Sequence, residues 1–274
     1  MKNDIKAKKK FGQNFLKDQS VLNKIIQSMP HNTNHIVEIG PGLGDLTKRL
    51  VKCKEVTAYE VDVDLYSILQ TEFKSELETN KLNIILGDVL NQWTNSGTLH
   101  NGKYDLIANL PYYIATNIIL QSLDDVNCEH IIVMIQKEVA DKFTAICGEK
   151  EYSSLAIITQ LLSCERKTIV VVPPESFDPQ PKVDSAVIYI KKDLTKSIDD
   201  KFKRFLKVAF SQPRKKLLKN LSTSYDKIVL NDIFQQLNIE QNSRPHEVDA
   251  SLYSHIYKKV INNGRENRTE ESRG

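Results

Sequence analysis

The chain has 274 residues, 40% apolar and 27% charged, with 38 Lys and Arg against 35 Asp and Glu for a formal charge of +3. That suits one large globular domain plus a small one and excludes a disordered or fibrous chain. No apolar run is long enough to span a membrane, and the lysine-rich start lacks the apolar core of a secretory signal, so a cytoplasmic protein is expected. Cys53, Cys128, Cys147 and Cys164 lack paired CxxC spacing and read as reduced thiols, with neither disulfides nor zinc. The six histidines are scattered, so no metal is expected.

Lys8 to Leu16 is basic, with an aromatic on each side of a glycine. Asp18 then suits the N-cap of a helix carrying Leu22, Ile25, Ile26 and Met29, closed by Pro30. A buried-strand run, Ile36 to Ile39, meets the turn Gly40-Pro41-Gly42-Leu43-Gly44, and Asp45 opens a helix with Leu46, Leu50 and Val51. Strand, glycine turn and helix form the first unit of a doubly wound sheet. The strand Val56 to Tyr59 ends at Glu60, 20 residues after Gly40, a spacing that suits hydrogen bonds to ribose hydroxyls. A helix with Leu65, Ile68, Leu69 and Phe73 leads to the strand Leu82 to Leu86 and to Gly87-Asp88.

A polar loop around Gly97 and Gly102 precedes the strand Tyr104 to Ala108 and the tetrapeptide Asn109-Leu110-Pro111-Tyr112. A helix near Ile118 to Leu123 and an apolar strand, Ile131 to Ile135, follow. The helical stretch from Gln136 breaks near Gly148 and resumes at Ser154 to Leu162. Two late strands, Thr168 to Val172 and Ala186 to Ile190, flank a proline-rich loop too short for a helical crossover, which predicts an antiparallel pair. Seven strands result.

A polar stretch near 192–200 marks a boundary. It divides the chain into a domain over 1–192, a small helical domain over 193–261 and a disordered tail over 262–274. In the second domain Phe202, Phe205, Leu206, Ala209 and Phe210 keep helical spacing until Pro213. Arg214-Lys215-Lys216 then begins another helix with Leu217, Leu218 and Leu221, and helices follow at Ile228 to Leu237 and Leu252 to Val260. Residues 201–221 hold eight basic side chains and no acid, and residues 2–10 hold five lysines against Asp4. Such density suggests a polyanion partner, with a solvated helix face as the alternative.

Chemistry concentrates at strand ends, where open α/β sheets bind ligands. Glu60, Asp88 and Asn109 would line one crevice. Proline keeps Leu110 out of helical space, so its carbonyl and the Asn109 amide oxygen offer two neutral acceptors to one amine. An adenine amine is a poor nucleophile because its lone pair is conjugated with the ring. Holding both N–H groups out of that conjugation localises the lone pair, and Tyr112 offers the base a stacking face. The glycine turn alone also fits an NAD site, but dinucleotide turns favour G-x-G-x-x-G and no arginine cluster waits for a pyrophosphate. A phosphate-free nucleoside with a positive centre, S-adenosylmethionine, fits better.

Five runs together resemble the ribosomal small-subunit RNA adenine dimethyltransferase family over about Phe11 to Val260. They are Phe11-Gly12-Gln13-Asn14-Phe15-Leu16, Glu38-Ile39-Gly40-Pro41-Gly42, Asn109-Leu110-Pro111-Tyr112, Gln136-Lys137-Glu138-Val139 and Pro181 to Val187. The resemblance implies a Rossmann-like class I methyltransferase sheet of seven strands with a small C-terminal all-helical, RNA-binding domain. It implies dimethylation of adenosines near the 3′ end of small-subunit rRNA, with S-adenosylmethionine as donor and an immature, pre-ribosomal particle as substrate. By position, Asn14 and Leu16 close over the donor, Gly40 and Gly42 lie against it, Glu60 takes its ribose and Asp88 its adenine. Asn109, with Leu110 and Pro111, holds the target amine, while Tyr112 and Phe177 sandwich the target base. Lys8, Lys9, Lys10, Arg214, Lys215 and Lys216 are the expected RNA contacts, and a monomer is expected.

One departure is Gln212-Pro213-Arg214-Lys215-Lys216, where the family's basic run follows the glutamine without a proline. Two competing readings remain: the related large-subunit rRNA methyltransferase of antibiotic resistance, and a non-catalytic assembly factor. Against the first stand the Pro181 to Val187 run and the basic segment after Phe210; against the second stands the intact tetrapeptide at Asn109.

Overall fold

The computed structural model describes residues 13–271, with side chains to residue 262. The chain divides into two compact units, one of residues 1–141 and 163–194 and the other of 142–162 and 195–274.

In the first unit, β1 (Phe15–Leu16) precedes α1 (Gln19–Gln27), β2 (His35–Ile39), α2 (Thr47–Leu50), β3 (Val56–Glu60), α3 (Val63–Glu72) and α4 (Lys74–Glu78). Next come β4 (Leu82–Leu86), α5 (Val89–Ser96), β5 (Tyr104–Asn109), α6 (Ala115–Asp124), β6 (Cys128–Gln136) and α7 (Lys137–Thr144), whose last three residues belong to the second unit. After α8 (Ser154–Leu162), which belongs to the second unit, come β7 (Ser163–Val172), β8 (Phe177–Asp178) and β9 (Ser185–Lys192).

Seven strands form one sheet in the order β4-β3-β2-β5-β6-β9-β7. The first five are parallel, and β9 runs antiparallel to both β6 and β7. Helices cover both faces of such a sheet, so β5 and β6 read as near-continuous apolar runs. The chain winds outward from β2 through β3 to β4, then returns to place β5 on the other side of β2. The topological switch point therefore lies between the carboxyl ends of β2 and β5, where ligands enter doubly wound sheets.

Helix α4, a short ribbon and helix α5 escaped the sequence reading. A two-stranded antiparallel ribbon pairs Leu16 with Phe177 and Phe15 with Asp178, and two residues a side carry no periodic signal. Helix α5 buries only Val89 and Trp93, too few apolar positions to distinguish it from a loop.

In the second unit, α9 (Asp200–Ala209), α10 (Leu217–Leu221), α11 (Lys227–Gln236) and α12 (Ala250–Glu271) surround a core of Phe205, Phe234 and Tyr253. Three expectations are corrected here. Residues 142–162, placed by sequence in the first domain, belong to the second unit: α8 packs on α9 and α12, partners that arrive later in the chain. Arg214, Lys215 and Lys216 are exposed on a loop ahead of α10, not within a helix. Helix α9 ends at Ala209, and the buried Asn220 side chain donates to the carbonyls of Ala209 and Gln212 at 2.7 and 3.1 Å, fixing the open loop that Pro213 requires. Finally, α12 continues past Val260 into the presumed tail. Backbone hydrogen bonding needs no apolar residue, and no proline interrupts that stretch.

Two polar clusters sit near the amino ends of the strands. Buried Asp105 accepts from Asn34 Nδ2 at 3.1 Å, His130 Nδ1 at 2.8 Å and Lys54 Nζ at 3.2 Å. Burial raises its pKa, but the bonds from His130 and Asn34 outweigh that and hold it below the ordinary carboxylate range. Asp105, Glu129 and His130 are close enough to share a cation. The Lys54 ammonium and the Asn34 amide already answer the Asp105 oxygens, so the cluster reads as a hydrogen-bonded staple.

Nearby, His35 stacks on His100 with ring centroids 4.2 Å apart. Burial, then the neighbouring His100, depress its pKa to about 4. A depressed folded value means that the unfolded chain binds the extra proton. Stability from this residue is therefore complete above about pH 6.5 and is lost as pH falls toward 4. Discounted for partial exposure, the loss is roughly 1–2 kcal/mol. Urea unfolding between pH 7 and 4 should show it, and His35→Gln should flatten that part of the profile; an unchanged profile refutes the assignment.

Candidate active site

Each strand end at the switch point contributes a group, and the reason is local. After β2, Gly40, Gly42 and Gly44 take φ of +67°, +60° and +81°, which L side chains rarely adopt, so the turn is tight enough for its backbone to line a cavity. The Gly40 amide donates to the Tyr59 carbonyl at 2.9 Å, tying the turn to β3. At the end of β3, the Glu60 carboxylate accepts from the amides of Val61 and Asp62, both at 2.9 Å. At the end of β4, Asp88 caps α5 by accepting from the Leu90 amide at 2.9 Å. Past β5, the Leu110 amide donates to the Met134 carbonyl at 3.0 Å, which extends the ladder one residue beyond the strand.

One cavity in the first unit is lined by Asn14, Leu16, Gly40, Gly42, Glu60, Asp88, Asn109, Leu110, Pro111 and Tyr112, every described donor-side and amine-side residue the sequence nominates apart from Phe177. Lys8, Lys9 and Lys10 lie outside the described residues, and Arg214, Lys215 and Lys216 are in the other unit. Phe177 is not on the cavity wall. It is 3% exposed and packs in the core, because its register opposite buried Leu16 turns its ring inward.

The Asn109 amide has a defined orientation. Its Nδ2 donates to the Asn14 carbonyl at 3.1 Å. A carbonyl can only accept, so the nitrogen faces Asn14 and Oδ1 is left as an acceptor on the other side. The same bond ties the segment ahead of α1 to the tetrapeptide. Gln13 Nε2 donates to Asp62 Oδ2 at 3.0 Å, and the Lys17 amide donates to the Ser176 carbonyl at 2.8 Å. Residues 13–17 thus strap across the cavity, anchored on three sides.

Sequence reasoning missed Gln13, Asp62 and Glu38. The signal for Glu38 was an acid inside an apolar strand run. It is 1% exposed on the cavity wall and accepts from Thr47 Oγ1 at 2.7 Å. Burial, with Glu60 adding to it, pushes its pKa up to about 8 despite the Thr47 bond, so at neutral pH it is largely protonated. Burial likewise raises Glu60 above the usual carboxylate range. With Glu38 neutral, the acids that remain on the cavity wall are Asp45, Glu60 and Asp88, and no Lys, Arg or His joins them among the described residues. That electrostatic character disfavours a pyrophosphate and favours a cationic nucleoside.

Comparison with known proteins identifies the family. The family described as ribosomal RNA adenine dimethylase matches residues 4–262. The chain belongs to that family. It is therefore an rRNA adenine dimethyltransferase by family, and a methyl donor is required. Among curated relatives of this dimethylase, the ribosomal RNA small subunit methyltransferase A of Aliarcobacter butzleri is 62% identical over 258 residues, covering 94% of this chain and 97% of that protein. The protein of the same name from Sulfurimonas denitrificans is 55% identical over 267 residues, covering 97% and 98%. In fold, the dimethylase resembles a dimethyladenosine transferase from Plasmodium falciparum, with a TM-score of 0.77, 23% identity and coverage of 91% and 98%. It also resembles the 23S rRNA methyltransferase ErmE, with a TM-score of 0.70, 20% identity and coverage of 90% and 100%.

Proposed function

We propose that the chain transfers two methyl groups from S-adenosylmethionine to the exocyclic amines of adenosines near the 3′ end of small-subunit rRNA, in the cytoplasm and late in subunit assembly. The observation that carries the reading is the oriented Asn109 amide beside a cavity lined by acids and by no described cation. Relatives at 62% and 55% identity, both named for the small subunit, support this target over the large-subunit alternative.

S-adenosylmethionine, when bound, supplies an electrophilic methyl group on a positively charged sulfur. In this reading Glu60 and Asp88 would hold its ribose and adenine, Gly40 and Gly42 would lie along it, and Asn14 and Leu16 would cover it, and the shared cavity wall of all six supports that assignment. Asn109 Oδ1 and the Leu110 carbonyl accept from the two N–H groups of the target amine, which localises its lone pair. Pro111 keeps that carbonyl out of helical geometry. Tyr112 gives the extruded base a stacking face worth roughly 1–3 kcal/mol, against an unstacking cost of a few kcal/mol. Amine and methyl held together gain from proximity alone. No general base is required, because the methylated amine is a cation that loses its proton to water, and the N–H left after the first transfer permits the second.

The deciding experiment is incorporation of labelled methyl into immature small subunits, with mapping of the modified adenosines. Label confined to adenosines near the 3′ end supports the reading; label in large-subunit RNA, or none, ends it.

The exposed Arg214, Lys215 and Lys216 loop is the proposed RNA contact in the second unit. Reversing all three charges should weaken RNA binding by roughly an order of magnitude or more and flatten its salt dependence, since each lost phosphate contact removes most of one unit from the log–log slope. Unchanged binding across a salt series would reduce this loop to a solvated face.

A further inference from the structure

Tyr112 and Ser185 are 73 residues apart in the chain, yet Tyr112 Oη and Ser185 Oγ lie 2.7 Å apart in hydrogen-bonding geometry. We infer that Ser185 is a positioning residue for methyl transfer, acting through this bond to fix the plane of the Tyr112 ring against which the target base stacks. The inference rests on the proposed base-stacking role of Tyr112.

Ser185 is fully buried and is the first residue of β9, paired with Gln136 of β6 on one side and Val172 of β7 on the other. The Lys137 amide donates to the Asp184 carbonyl at 2.9 Å, which fixes the residue before it as well. Its hydroxyl is therefore presented from the interior of the sheet, on backbone held by two ladders. Tyr112, by contrast, sits half-buried on a loop beyond the end of β5, at the cavity wall. Such a ring has two soft torsions. Pro111 restrains the backbone at one end, and the bond to Ser185 restrains the phenol tip at the other. With both ends held, the stacking face is set before the base arrives, so ordering it costs nothing at binding. A serine otherwise has little reason to be fully buried between two paired strands, where a bare hydroxyl is costly unless paired.

The test has one readout that needs no substrate and one that does. In protein labelled with 3-fluorotyrosine, the Tyr112 resonance, assigned through Tyr112→Phe, should shift or broaden in Ser185→Ala while the other tyrosine resonances hold. In the methyl-transfer assay, Ser185→Ala and Tyr112→Phe should each lower kcat on the order of tenfold, as expected for one lost hydrogen bond, with the KM for the donor unchanged. The double variant should fall no further than either single one, because all three lack the same bond. Losses that multiply in the double variant, or a Tyr112 resonance indifferent to Ser185→Ala, overturn the inference. If Ser185→Ala does not fold, Tyr112→Phe alone decides: wild-type kcat in that variant overturns it. A wild-type protein that transfers no methyl to RNA, yet shows the Ser185-dependent Tyr112 resonance, refutes the proposed reaction and leaves the positioning contact standing.

Discussion

Asn109→Ala is expected to lower methyl transfer by at least roughly 10³-fold while leaving donor affinity within a few-fold of wild type. Removing one preorganised hydrogen-bonding group at a reacting centre costs about 10²–10³ in comparable sites, and here the group also orients the nucleophile. Leu110 and Pro111 follow Asn109 directly, so within the tetrapeptide only its Oδ1 supplies a side-chain amide acceptor. Asn109→Asp separates two roles. It preserves size and an acceptor, but a carboxylate cannot donate to the Asn14 carbonyl that Nδ2 now meets at 3.1 Å. That variant should lose more donor affinity than Asn109→Ala, which merely removes this bond, because a carboxylate facing the Asn14 carbonyl sets two acceptors against each other and pushes the strap away from the cavity. Isothermal titration with donor, beside a single-turnover methylation assay, distinguishes the two variants. Turnover within tenfold of wild type for Asn109→Ala would remove the residue from the mechanism.

Gly44→Ala should destabilise the first unit by about 2–5 kcal/mol. A left-handed backbone costs an L residue roughly 1–2 kcal/mol, and at this position φ is +81°. An added Cβ would also lie 2.5 Å from Cε2 and 2.7 Å from Cζ of Phe73, whose ring is 2% exposed in the core. Overpacking of that kind typically costs 1–3 kcal/mol, because the ring cannot swing aside into solvent. Gly87→Ala serves as the comparison: nothing lies within 4 Å of its added Cβ, and its φ is not left-handed. Thermal unfolding should fall by roughly 5–15 °C for the first variant and hardly at all for the second. Equal melting temperatures would show that the turn tolerates what its geometry forbids.

These two sites also show what is legible without coordinates. Gly40-x-Gly42-x-Gly44 follows a strand and precedes a helix, Glu60 and Asp88 end the next two strands, and Asn109 ends the one after. In a parallel sheet every carboxyl end falls on one edge, so the linear order of such residues already places them together. Other parts of the site were hidden because they depend on partners far along the chain. Nothing near Phe177 announces that it will pair with Leu16 and turn its ring into the core. Nothing near Gln13 announces Asp62. The Arg214 to Lys216 run looked helical by spacing, but Asn220 and Pro213 hold it as an exposed loop.

By itself, the order of residues determined the alternating strands and helices, the family, and the acids and amide gathered at one sheet edge, since strand periodicity and short connections leave few ways to wind the chain. Tertiary structure alone decided which way the Asn109 amide faces, what holds the Tyr112 ring, where residues 142–162 pack and which aromatic is covered. Those outcomes are set by contacts between segments distant in sequence, whose energies appear only when the segments are brought together.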